Sequence, residues 1–200
     1  MITIKPFKTL ISVTCVFVCS FFALACPASA HSLPGSELVI KQSSSQTRIT
    51  LSFALEEFVI AAPHLKFVEK TSSLGDLTNS QVKQLSSYFN QHFKIKPLND
   101  EQDDQFISPR LDAIEIQGAF NEHVGQYRRV EAQFSVDSKT LPYNSLFPAV
   151  LHFDAILHEI RSHRVAVFYE GEQNSKIKLV DFVYSETNGK PATHLLSPNS

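Results

Sequence analysis

Thr47-Arg48-Ile49-Thr50-Leu51-Ser52-Phe53 alternates polar and apolar side chains without a break. On an extended chain successive side chains point to opposite faces, so Ile49, Leu51 and Phe53 line one face and Arg48, Thr50 and Ser52 the other. Upstream, Glu37-Leu38-Val39-Ile40-Lys41 has the same character, and Ser43-Ser44-Ser45 between the two segments supplies turn residues, which predicts a hairpin. Working outward, further strands are predicted at 111–120, 128–136, 149–158, 163–169 and 176–184. Seven short strands at this spacing predict a mainly β fold, an antiparallel sandwich.

One segment departs from period two. Val82, Leu85, Phe89 and Phe93 recur at helical spacing behind Thr78-Asn79-Ser80-Gln81, a Thr-x-x-Gln capping box, so one amphipathic helix is predicted from about Asn79 to Phe93. A shorter helical turn is expected over Glu56–Ala62, stopped by Pro63. The acidic run Asp100-Glu101-Gln102-Asp103-Asp104 lacks the ligand spacing and central glycine of a calcium loop and reads as a solvated loop.

The first thirty residues have the layout of an export signal. Lys5 and Lys8 precede an uncharged, mostly apolar stretch, and Ala28-Ser29-Ala30 supplies the small residues a signal peptidase accepts, so cleavage is expected after Ala30. Lipidation at Cys26 is the other processing route. The expected organisation is a signal peptide over 1–30, a single β-rich domain over 31–187 and a flexible tail over 188–200. Losing Lys5 and Lys8 takes the formal charge from -2 to -4. Cys15, Cys19 and Cys26 all lie in the leader, so the exported part has no disulfide, thiolate metal site or cysteine nucleophile. No later segment is apolar for long enough to span a bilayer as a helix. The periplasm or the extracellular space is the expected location, and the acidic balance argues against a nucleic-acid partner.

All eight histidines follow Ala30. Cleavage there would make His31 the new amino terminus, where the α-amine and ring Nδ1 of one residue can chelate a copper or nickel ion. The second feature is His158-Glu159-Ile160-Arg161-Ser162-His163, one residue longer than the H-E-x-x-H protease motif. On a helix five residues advance by about 500°, leaving the two rings about 140° apart, which disfavours a zinc protease. A four-residue loop over 159–162 would instead oppose His158 and His163 across a hairpin, close enough to share an ion. The other reading is one long bent strand with ordinary surface histidines. Asp154 and His158 share a strand face, but no local signature supplies a serine to them, and the six glycines form no phosphate loop, dinucleotide fingerprint or nucleophile elbow.

Three stretches, Ala30 to Val39, Leu51 to Phe58 and Phe153 to Arg164, together resemble the exported amino-terminal region of HupE/UreJ-like membrane proteins. In that family a β-rich extracytoplasmic domain, opening on Ala-His-x-x-Pro, precedes a membrane part related to nickel and cobalt permeases. The matching positions are His31, His158, Glu159 and His163. Permease helices are missing here and Gly35 stands where the opening motif has asparagine, so transport itself is not carried over. The free His31 terminus and the spaced His158/His163 pair, together with this resemblance, lead to the expectation of a non-catalytic domain that binds copper, nickel or cobalt through His31, His158 and His163 and associates with an integral-membrane transporter. The alternatives are a metal-free adaptor that docks onto a membrane protein and a hydrolase using Asp154 and His158.

Overall fold

A computed structural model describes residues 33–43, 46–98, 105–137, 139, 141, 145–171 and 175–198. The leader, His31 and the acidic run 100–104 lie outside these.

The decisive alternation becomes β2 (Gln46–Ala54), which pairs antiparallel with β1 (Ser36–Gln42), setting Ile40 opposite Ile49 and Leu38 opposite Leu51. All four of these side chains are buried, as is Phe53. The chain then turns into a short helix, α1 (Leu55–Ala61), whose carbonyls end on the Ala62 N–H before Pro63, which has no amide hydrogen to continue the ladder. Two 3₁₀ segments follow, Pro63–Lys70 and Leu74–Asp76. The Asp76 carboxylate accepts from the amides of Ser72 and Ser73 at 2.9 and 2.8 Å, and these hydrogen bonds hold it below the usual carboxylate range.

The longer helix, α2 (Asn79–His92), starts at the capping box read from the sequence. Gln81 N–H donates to Thr78 Oγ1 at 3.4 Å and Thr78 N–H donates to Gln81 Oε1 at 2.9 Å. Replacing Thr78 by Ala removes one of these caps, and the expected loss is about 1 kcal/mol in urea unfolding, whereas Thr78→Ser is expected to be close to neutral. Helix α2 buries Leu85, Tyr88 and Phe89 and passes directly into β3 (Phe93–Pro97), because Phe93 already has extended backbone angles.

Next come β4 (Arg110–Asn121), β5 (Gly125–Asp137), β6 (Ala149–Phe153), β7 (Arg164–Glu170), β8 (Lys176–Val183), the two-residue strands β9 (Glu186–Thr187) and β10 (Lys190–Pro191), and β11 (Thr193–Leu196). The main sheet has six strands in the order β4-β5-β2-β1-β7-β8, antiparallel except where β1 meets β7. A three-stranded antiparallel sheet, β11-β6-β3, accompanies it. Phe89 of α2 and Phe93 of β3 both meet Phe134 of β5, at ring separations of 5.0 and 5.3 Å, and so join helix and small sheet to the main sheet. The mainly β expectation stands. Among the described residues no helix is long and apolar enough to cross a membrane.

Two local expectations are corrected, and Gly35 gains a structural reason. The strand read over 149–158 stops at Phe153; beyond it Ala155, Ile156 and Leu157 are all buried, so the run loses its two-faced character. Ile156 has φ 67, in the left-handed region that a β-branched residue seldom visits, and the chain turns there instead of extending. His158 and His163 are therefore not cross-strand partners. Second, the segment read as a flexible tail contains β11, which pairs with β6 through Leu196 opposite Ala149, and Leu196 is fully buried. Gly35 precedes β1 where a Cβ would collide with the main-chain oxygen of Arg164, so a residue without a side chain lets β1 approach β7.

Candidate functional site

Helix α2 ends with Tyr88 and His92, one turn apart and so on the same face. Strand β6 brings His152, and Asp154 follows it immediately. The turn after Asp154 adds His158, its amide bonded back to the Asp154 carbonyl at 3.0 Å. Three imidazoles from three elements thus gather about one aspartate.

Asp154 is buried and occupied on both its polar ends. His92 Nδ1–H donates to carboxylate Oδ1 at 2.9 Å, and His158 Nδ1–H donates to the main-chain oxygen at 3.0 Å. Carboxylate and carbonyl oxygens only accept, so both rings carry a hydrogen on Nδ1, and in the neutral form the lone pair is on Nε2. His152 Nε2 stands 3.7 Å from the same Oδ1. Burial holds the His152 imidazole below the usual histidine range; Asp154 pulls the other way, and Lys94, its cross-strand neighbour, and His92 add to the lowering. The His92 and His158 rings stack at 4.3 Å and 16° between planes, with the Tyr88 ring 4.7 Å from His92 and 6.0 Å from His158. The Tyr88 hydroxyl accepts from the Ile156 N–H at 3.1 Å, and burial pushes its pKa well above the ordinary phenol value, so the ring keeps its proton.

His163 belongs to a different group. Its ring is buried between Ser36 at the start of β1 and Glu57 of α1. Ser36 N–H donates to Nε2 at 3.1 Å, so Nε2 holds the lone pair and the ring hydrogen is on Nδ1, 2.6 Å from Glu57 Oε2. That contact is close but poorly aligned, and Glu57 Oε2 has no well-directed hydrogen-bond donor among the described residues. Ser36 Oγ lies 2.8 Å from Nε2, which completes a serine-histidine-carboxylate order. The serine is only 3% exposed and its own amide already uses the imidazole lone pair, so this chain of contacts fastens β1, α1 and the approach to β7.

Of the residues singled out in the sequence, the structure places His158 in the Asp154 cluster, His163 in the interior clasp, and Glu159 on the exposed surface. His31 lies outside the described residues. Asp154 and His158 do touch, but through the aspartate's main chain rather than its carboxylate. Sequence reading missed His92 and His152. The alternation His152-Phe153-Asp154 was available, as was the placement of His92 one turn beyond Tyr88, but nothing local joins the two. Among the described residues no three His, Cys, Asp or Glu side chains are arranged to hold a metal ion, so any ion here would meet a partial, open set of protein ligands. No family model matches the chain, and a search of curated proteins finds no match either.

Proposed function

We propose that the protein is an exported, non-catalytic domain that takes up a late transition-metal ion at the imidazole cluster around Asp154 and works beside an integral-membrane transporter. The observation that carries this reading is the gathering of His92, His152 and His158 about one buried carboxylate at a partly exposed surface. Imidazole nitrogen is the ligand such ions prefer over carboxylate or water, and copper, nickel and cobalt all accept it. The transporter follows from the resemblance of the Ala30–Val39 and Phe153–Arg164 stretches to HupE/UreJ-like proteins. A second reading, the metal-free adaptor, is favoured by the tip of the β4–β5 hairpin. There Phe120 is 71% exposed, beside Tyr127 in a cleft of about 580 Å³ that also takes in Glu56 and Arg128.

Isothermal titration of the purified protein with copper(II), nickel(II) and cobalt(II) tests the metal reading. One ion taken up per chain is the expected result; no heat with any of the three would leave the adaptor in its place. The chelate proposed for a free His31 terminus is tested separately, since adding an alanine before His31 removes it and spares the Asp154 cluster.

A further inference from the structure

Resting on that reading, we infer that His92 and His158 are the paired protein ligands for the ion, that copper(II) is the ion this pair takes most tightly, and that Asp154 is the residue that positions both rings. Among the described residues only these two imidazoles are fixed by Asp154 in the form that leaves Nε2 as the donor atom, one through the carboxylate and one through the main chain. A ligating histidine whose other nitrogen donates to a carboxylate or carbonyl is the usual arrangement at metal sites, because it fixes the tautomer and raises the basicity of the ligating nitrogen. His152 differs: it presents Nε2 toward the Asp154 carboxylate, so its tautomer is not set in the same way.

With centroids 4.3 Å apart and ring planes only 16° apart, the two imidazoles stack, each with its Nδ1 bonded to Asp154 and its Nε2 left as the donor atom. The outer torsion of a histidine is broad, so a modest swing of one ring suffices to aim both at a common point. Tyr88 packs against both rings and confines that swing. Two nitrogens from the protein leave the remaining positions to water or to a delivered partner, which suits an ion that is to be passed on. Among the late divalent ions an all-nitrogen pair binds copper(II) most strongly.

The test is copper(II) binding by the whole purified protein and by His92→Gln, His158→Gln and Asp154→Asn variants, with His123→Gln as control, an exposed histidine in the β4–β5 turn. Glutamine can still donate to Asp154 from its amide, so the packing of the cluster is retained. Electron paramagnetic resonance of the wild-type complex is expected to show coupling to two equivalent imidazole nitrogens. Each His→Gln change should lower affinity by about tenfold or more and remove one coupling, and Asp154→Asn should lower it by about 10- to 100-fold with altered hyperfine values. The control should match wild type. If copper binds but both His→Gln variants behave as wild type, the inference fails and the broader metal reading survives; if no copper binds, both fail. Should a variant not fold, imidazole nitrogen NMR of the wild type decides. Selective broadening of the His92 and His158 signals by copper supports the pair, and broadening confined to other histidines overturns it.

Discussion

Replacing Phe134 by Ala is expected to destabilise the protein by about 3–5 kcal/mol in urea unfolding, a large share of what a domain of this size has to lose. Phe134 sits on β5 between Ile49 of β2 and Leu111 of β4 in the main sheet. Its ring meets Phe89 and Phe93 edge to face at 79° and 90°, so deletion of the ring also removes two favourable aromatic contacts. The cavity would open where helix α2, strand β3 and the main sheet converge, and neighbours fixed in three elements cannot collapse into it. Phe134→Leu keeps most of the volume and should cost less than half as much. A loss below about 1 kcal/mol for the alanine variant would mean that the layers do not pack through this ring.

The second large effect is expected at His163. His163→Ala leaves the Ser36 amide without its acceptor and the Glu57 carboxylate without its ring partner, all in the interior, so a loss of about 3–5 kcal/mol is expected. Ser36→Ala, by contrast, removes only the hydroxyl; the amide still reaches Nε2, and about 1 kcal/mol is the expected cost. Urea unfolding of both variants measures the difference. Equal and small losses would show that the clasp contributes little to stability.

These two sites mark where local pattern stops being informative. The β1–β2 hairpin and helix α2 were legible because their signals are contained in a few consecutive residues: an alternation, a capping box, a 3.6-residue recurrence. Strand β3 was missed because the helix passes into it with no breaker between His92 and Phe93. Strand β11 was missed because Asn188, Gly189 and Pro191 look like the start of a frayed end, whereas its stability comes from β6, far away in the chain. The same limit governed the candidate site. His158 and His163 were singled out together because they are close in sequence, yet His158 turns toward Asp154 and His163 toward Ser36, 127 residues before it. His92 carries no local signal of its role, because its partner Asp154 lies 62 positions further along the chain and nothing between them marks the contact.

The parallel seam between β1 and β7 makes assembly a late event. Lys41 lies beside Glu170, 129 residues further on, so the middle of the main sheet stays open along one flank until nearly the whole polypeptide has been delivered. Such distant pairing slows closure, and in the meantime an apolar strand rim carrying Leu38 and Ile40 is left bare and adhesive. Until β7 arrives, the unpaired flank of β1 is the place where a second copy could pair by mistake.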